Sequence, residues 1–232
     1  MNKLKILMFF FISFILSCTD NDDKKIINDT PAEVTLQQRL DNGETPYQIY
    51  LSNNSLLNSL YGLHYQGGII FYLNTSNGTG LISSEINQSY QGSEVMHWGC
   101  ETLDISASEN SSIGFGQANT SAVVTNCSQL DTAASVCDFL ILNGYSDWYL
   151  PSKDELNLMY QNLDLNGFGD FKNNTTVHIG SSIYFSAYYW SSTQSSTDID
   201  KAWVQSFENG LQLDFEVGFK SFYHMVRAVR NF

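Results

Sequence analysis

Residues 147–156 (Asp-Trp-Tyr-Leu-Pro-Ser-Lys-Asp-Glu-Leu) are the stretch that decides the fold. Proline disfavours the helical conformation in the residue before it, so the chain is predicted to be extended as far as Leu150. Ser152 and Glu155 then have the spacing of a capping box, which starts a helix. Apolar side chains follow at helical spacing, namely Leu156, Met159, Tyr160 and Leu163. The stretch therefore predicts an extended segment that leads into a helix at Ser152.

A second helix and several strands are predicted on either side of this stretch. Residues 129–142 show helical spacing and end at Asn143-Gly144, a common helix stop. Residues 85–127, rich in Ser, Asn and Gly, are predicted to form one long loop. Strands are predicted at 69–73, 81–84, 188–192, 202–207, 211–215 and 225–230. The expected fold class is α+β, with two helices, antiparallel strands and long loops.

Five segments in chain order resemble the Lcl C-terminal domain family, which occurs at the C-terminus of bacterial collagen-like adhesins. The segments are 65–72, 114–120, 147–156, 189–193 and 226–230, and the resemblance extends over roughly residues 65–232. Leu150-Pro151-Ser152-x-x-Glu155 is also similar to the motif that opens a helix in C-type-lectin-like domains. The resemblance implies a C-type-lectin-like fold and a role in adhesion or ligand display. It implies no enzymatic activity.

The amino terminus predicts export and attachment to a lipid. Lys3 and Lys5 precede the uncharged residues 6–17. This run is too short to cross ~30 Å of hydrocarbon but suits the core of a secretory signal. It ends in Ile-Leu-Ser-Cys at 15–18, which resembles the lipobox of bacterial lipoproteins, with Cys18 as the lipidated residue. The alternative is an ordinary signal peptide followed by an incidental cysteine.

The acidic residues after Cys18 bear on location. Residues 19–25 (Thr-Asp-Asn-Asp-Asp-Lys-Lys) resemble a signal that sends lipoproteins to the outer face of the outer membrane, although a solvated tether has the same composition. We therefore expect a protein anchored by lipid in the outer membrane and displayed at the cell surface. The predicted organisation is a signal peptide (1–17), an acidic tether (18–31), a short helical segment (32–63) and an Lcl C-terminal-like domain (64–232).

Charge limits the possible partners. Without residues 1–17 the chain keeps 9 of its 11 basic residues and all 24 acidic ones, so the mature net charge is −15. Such a surface repels phosphate backbones and sulfated polyanions, which excludes nucleic acid as a partner. The expected partners are the membrane, through the lipid, and a neutral or basic glycan or protein ligand.

Three cysteines remain beyond the lipidated one. Cys100 and Cys127 lie in polar segments, whereas Cys137 falls on the apolar face of the predicted second helix. An exported protein can keep disulfides. The sequence therefore favours a Cys100–Cys127 disulfide, with Cys137 free and buried.

Motifs for catalysis are missing from the sequence. The four histidines are scattered, no Gly-x-Ser-x-Gly elbow is present, and the cysteines lack the close pairs of a zinc site. We therefore expect a protein that is not an enzyme and has no cofactor. The oxygen-rich segment 164–170 leaves bound Ca²⁺ open, against the alternative of a solvated loop.

Arg227 and Arg230 are notable in so acidic a chain. They could form an anion clamp, but the apolar residues around them favour a structural role. In that role, one of them would pair with Glu155 or Asp154.

The ligand face is expected in the loops 164–187 and 193–201, because lectin-like folds build it from the long loops after the second helix. Sugar recognition uses planar polar groups together with an aromatic face. Phe168 and Phe171 are possible stacking surfaces. The candidate ligand-binding residues are Asp164, Asn166, Asp170, Asn173, Asn174, Tyr184, Asp198 and Asp200. The leading interpretation is a surface lipoprotein that binds a ligand without catalysis, and the alternative is a structural scaffold module of the cell envelope.

Overall fold

Capping residues start the first two helices that the structure describes. In this computed structural model, Thr35 and Thr45 each form a capping box with a glutamine three residues later, and Pro46 occupies the first helical position of the second helix. The structure describes residues 33–171, 177–179, 182–184 and 188–232. The predicted signal peptide, Cys18 and the tether lie outside these residues. Contacts divide the chain into Met1–Glu33 and Val34–Phe232, and the helices and strands described here belong to the second unit.

The described residues form six α-helices and eleven strands. The helices are α1 (Leu36–Asp41), α2 (Pro46–Ser52), α3 (Leu57–Leu60), α4 (Gly116–Asn126), α5 (Ala133–Asp138) and α6 (Lys153–Asn162). The strands are β1 (His64–Tyr65), β2 (Gly68–Leu73), β3 (Gly80–Ser83), β4 (Val95–His97), β5 (Val177–Ile179), β6 (Ser182–Tyr184), β7 (Tyr188–Gln194), β8 (Ala202–Ser206), β9 (Gln212–Leu213), β10 (Tyr223–Met225) and β11 (Val229–Asn231).

The strands form two sheets and a separate hairpin. One sheet has the order β1-β2-β3-β11, and all of its pairs are antiparallel. The other has the order β4-β10-β7-β8-β9, in which only β10 and β7 pair in parallel. Strands β5 and β6 form the hairpin. This architecture confirms the predicted α+β class. Helices α1–α3 lie in the segment 32–63 that was predicted to be helical, and α4 adds a third helix to the two expected after it.

The first three helices share the core of the sheets. Leu40, Ile49 and Leu60, one from each helix, are buried in the same cluster as Ile70, Trp98 and Trp190. None of the helices in the part of the chain that the structure describes has the length and apolar composition to cross a membrane.

The prediction of one long loop over residues 85–127 was wrong. This region contains β4 and the eleven-residue helix α4. The helix escaped detection because it buries polar side chains, so its sequence lacks apolar spacing. Asn119 donates to the Asn110 carbonyl at 2.7 Å, and the Thr120 hydroxyl donates to the Leu150 carbonyl at 3.1 Å.

Two further elements differ from prediction. The helix expected over 129–142 is limited to α5, which begins after the capping residue Thr132. The single strand expected over 225–230 is split between β10 and β11, which belong to different sheets. The chain crosses from one sheet to the other at residues 226–228, all of which are buried. Because these residues are buried on every side, their sequence does not alternate between apolar and polar residues, and it therefore does not show where one strand ends and the next begins.

The predicted disulfide is confirmed. Cys100 and Cys127 are bonded, with their Cα atoms 5.7 Å apart, and Cys137 is free and buried. The disulfide ties the segment after β4 to the end of α4. Burial raises the pKa of the Cys137 thiol well above its ordinary value, so this cysteine behaves as a small apolar side chain.

The predicted capping box at Ser152 is also confirmed. The Ser152 hydroxyl accepts a hydrogen bond from the Glu155 backbone N–H at 3.3 Å, and the Glu155 carboxylate accepts one from the Ser152 N–H at 2.8 Å. The same hydroxyl donates to the Ser112 carbonyl at 3.0 Å. The cap therefore fixes both the start of α6 and the segment before α4.

We expect Ser152→Ala to lower the free energy of unfolding by about 1–2 kcal/mol, because it removes a helix cap and the hydrogen bond to the Ser112 carbonyl. Urea denaturation measures the loss. Thr35→Ala, which removes the exposed cap of α1, is the matched control and should cost less. Equal losses in the two variants would show that the contact with Ser112 contributes nothing.

Candidate ligand-binding groove

Arg227 lies where the chain crosses between the sheets and is fully buried. Its Nε donates to the Asn87 side-chain oxygen at 3.0 Å, and its Nη1 donates to the carbonyls of Ser84 at 3.0 Å and Glu85 at 2.5 Å. The guanidinium carbon lies 4.2 Å from the centre of the Phe171 ring. Arg227 therefore holds the segment after β3 against the segment after α6.

The predicted pairing of these arginines with Glu155 or Asp154 was wrong. The Glu155 carboxylate is occupied by the backbone N–H groups of Ser152 and Gly114, each at 2.8 Å. Arg230 instead pairs with Asp147, and its guanidinium stacks 3.8 Å from the centre of the Tyr145 ring. The structural role favoured for both arginines is present, but with different partners.

Two adjoining cavities open beside Arg227, and we call them together the acidic groove. The first has a volume of about 290 Å³ and the second about 180 Å³. Asp170 lines both. The other lining residues of the first are Glu85, Ile86, Asn87, Ser89, Glu94 and Arg227, and those of the second are Asp164, Gly167, Phe168 and Phe171. The groove thus joins residues 85–94 to residues 164–171.

Glycines shape one wall of the acidic groove. Gly169 has a φ of +81°, and a Cβ there would lie 2.5 Å from the Phe171 ring, so only glycine fits. The neighbouring Phe168 ring packs over Gly62, where a Cβ would lie 2.6 Å from it. Phe168 is thereby held at the rim with 41% of its surface exposed.

Acidic residues outnumber basic ones in the lining of the groove. Glu85, Glu94 and Asp170 surround the first cavity, whereas Arg227 is its one basic lining residue. Burial lowers the pKa of Arg227, and nearby Tyr189 and Asp170 oppose this shift. Among the described residues, no carboxylate oxygen lies within 4 Å of the guanidinium. The Glu85 carboxylate lies 3.2 Å from the His64 Nε2. Glu94 and Asp170 form no ion pair with another described residue, so they keep the negative charge of the rim.

The buried tyrosine Tyr189 links the parts of this site. Its hydroxyl hydrogen-bonds to the Asn87 side-chain oxygen at 3.0 Å and lies 3.2 Å from the Phe171 carbonyl. Burial raises the pKa of Tyr189, so the phenol stays protonated. Its ring also packs edge-on against Phe171, with centroids 5.7 Å apart.

Only some of the predicted site residues meet in the acidic groove. Asp164, Phe168, Asp170 and Phe171 line it, whereas the Asn166 side chain donates to the Gln161 and Asn162 carbonyls at the end of α6. Asn173, Asn174 and the side chain of Tyr184 lie outside the described residues. Glu85, Asn87 and Glu94 were missed, because no local pattern in residues 85–94 connects them with residues 164–171.

Asp198 and Asp200 lie elsewhere. They follow the end of β7, whereas Phe171 packs against Tyr189 at its beginning. Five residues of strand at about 3.3 Å each separate the two ends by roughly 16 Å. Asp198 forms an ion pair with Lys201 at 2.8 Å, which lowers the Asp198 pKa. The described members of the two predicted loops thus do not form one ligand face.

Metal binding gains no support from these positions. Within the described ranges, no group of three or more His, Cys, Asp or Glu side chains is arranged to hold a metal ion.

A protein-family model matches more than half of the chain. The family model of the Lcl C-terminal domain matches residues 96–230, which include α4, α6 and both arginines. The chain belongs to the Lcl C-terminal domain family. The Lcl C-terminal domain is adhesin-related, and no curated protein matches the chain. The match begins after Glu94, so one wall of the acidic groove precedes the matched region. The C-type-lectin-like relationship stays a prediction.

We expect Arg227→Lys to lower the free energy of unfolding by roughly 2–3 kcal/mol, because an ammonium cannot reproduce the planar set of contacts with Asn87, Ser84 and Glu85. Urea denaturation measures this loss. Arg39→Lys is the matched control, since Arg39 pairs with Glu44 on the surface and should tolerate the change better. A variant at Arg227 as stable as the one at Arg39 would contradict the structural role.

Proposed function

We propose that this chain is a lipid-anchored surface protein whose Lcl C-terminal domain binds a basic segment of a protein ligand in the acidic groove. The observation that carries the proposal is the groove itself, in which three acidic residues line a cavity of about 290 Å³. The domain would act by binding rather than by catalysis.

The rim suits the side chains of lysine and arginine. Ile86 is 67% exposed and Phe168 is 41% exposed, and both line the groove. Long basic side chains pack their methylene stems on apolar surface while the charged end meets a carboxylate. A neutral glycan could use Asn87 and Ser89, but the carboxylates would add little to its binding.

The charge of the predicted mature chain supports the same choice. A mature net charge of −15 attracts basic ligands from a distance, and complementary charge raises the association rate. At physiological salt this attraction is screened beyond about 8 Å. Specific binding would therefore depend on the groove more than on the remote surface.

The full chain in neutral detergent should bind immobilised oligolysine or oligoarginine. Replacing Glu94 and Asp170 together by Gln and Asn should weaken binding at least tenfold, because it removes two rim charges; this corresponds to about 1.4 kcal/mol. Biolayer interferometry at constant salt gives the affinities.

The matched control removes two charges from residues that do not line the groove. Glu208→Gln combined with Glu216→Gln changes the net charge equally at exposed positions and should have a smaller effect. Equal weakening by the two double variants would indicate nonspecific attraction. If the wild-type protein bound neither peptide, the proposal would fail and the scaffold alternative would be favoured.

Lipid anchoring is tested separately. Cys18→Ala should abolish metabolic labelling with a fatty acid and release the protein from membranes, because each buried lipid methylene contributes about 0.8 kcal/mol. Cys137→Ala is the control and should be labelled like the wild type, since this cysteine is buried. Undiminished labelling of the Cys18 variant would disprove the anchor.

A further inference from the structure

A third cavity lies between the β2–β3 hairpin and the segment before α4, and we call it the hairpin pocket. Its volume is about 200 Å³. Its walls include Tyr72, Asn74, Thr79, Ile113 and Asn231, and every residue that lines it is uncharged. This neutrality is unusual in a chain with 24 acidic residues. The pocket shares no lining residue with the acidic groove.

Hydrogen bonds fix the orientation of two side-chain amides that line the hairpin pocket, those of Asn74 and Asn231. The Tyr149 hydroxyl donates to the Asn231 Oδ1 at 3.1 Å, and burial raises the pKa of Tyr149, which keeps this phenol protonated. The Asn74 Oδ1 accepts from the Ser76 N–H at 3.0 Å and from the Ser76 hydroxyl at 2.6 Å. In both asparagines the oxygen is engaged, which leaves the amide NH₂ as a donor.

The remaining walls supply an acceptor and an apolar surface. The Thr79 hydroxyl donates to the Asn77 side chain at 2.9 Å, so its oxygen lone pairs can accept a hydrogen bond. Ile113 is 39% exposed and lines the pocket together with the half-buried Tyr72. The pocket thus combines amide donors and a hydroxyl acceptor with an apolar wall.

This combination selects a class of ligand. A charged ligand would lose hydration without finding an opposite charge. An apolar ligand would leave the amides without partners, which costs binding energy. A volume below the roughly 300–1,000 Å³ of drug-sized sites suits a single small unit. We infer that the hairpin pocket binds one neutral pyranose unit, independently of the acidic groove.

Saturation-transfer NMR on the full chain tests this inference with methyl glycosides of glucose, galactose, mannose and N-acetylglucosamine. At least one should receive saturation at millimolar concentration, whereas the negatively charged glucuronic acid should not. Comparison with a short oligosaccharide ending in the same sugar separates recognition of free sugar from recognition of a glycan terminus. Absence of transfer to every neutral sugar would overturn the inference, as would equal transfer to glucuronic acid.

Two variants locate the binding. Asn231→Asp and Asn74→Asp preserve the engaged oxygen but replace the donor NH₂ by an acceptor, so each should weaken sugar binding at least tenfold. Asn74 lies in the hairpin turn, so its variant is a second test should the change at Asn231 impair folding. Asn58→Asp, at an exposed position of α3, adds the same charge and should leave binding unchanged. Undiminished binding by both pocket variants would overturn the assignment.

The two binding proposals can fail separately. The Asp variants of the hairpin pocket should keep their affinity for basic peptide, and the double variant of Glu94 and Asp170 should keep its affinity for sugar. Loss of sugar binding in that double variant would place the sugar in the acidic groove and overturn the inference.

Discussion

The buried carboxylate of Glu155 connects the two longest helices. Its oxygens accept hydrogen bonds from Ser152 in its own helix and from Gly114 and Gly116 at the start of α4. Burial raises the pKa of Glu155, and these hydrogen bonds oppose the rise. Gly116 leaves room for this contact, since a Cβ there would lie 2.2 Å from the carboxylate. One side chain thus caps α6 locally and supports α4 from forty residues away.

This contact also explains what the sequence could predict. The capping box of α6 lies within four residues, so Ser152 and Glu155 reveal it directly. Helix α4 has no side-chain cap of its own, because Phe115 precedes it. The backbone N–H groups at its start donate instead to Glu155, which is distant in sequence. The disulfide was predictable because polar surroundings separate Cys100 and Cys127 from the apolar face that holds Cys137.

The candidate site was only half predictable for a similar reason. Asp164, Phe168, Asp170 and Phe171 could be chosen because the loop after a helix is a common place for ligand contacts. Glu85, Asn87 and Glu94 could not, because their segment is brought to the site by contacts between distant residues, among them the hydrogen bonds from Arg227 to Ser84, Glu85 and Asn87. That arginine lies on a crossing between two sheets, and residues 225–230 gave no sign of the crossing because their sequence is that of a single strand. The prediction failed where packing between distant segments decides the structure.

Burial of basic residues adds a consequence for recognition. Lys220, Arg227 and Arg230 are all buried, although they are three of only 11 basic residues in the chain. Lys220 donates to the Leu103 carbonyl and the Gln194 side chain, and burial lowers its pKa to about 8. These three positive charges make contacts inside the protein, whereas most of the described acidic residues face solvent. The surface is therefore more acidic than the composition indicates. A neutral pocket on such a surface must select its ligand by shape and hydrogen bonding, whereas the acidic groove can select by charge.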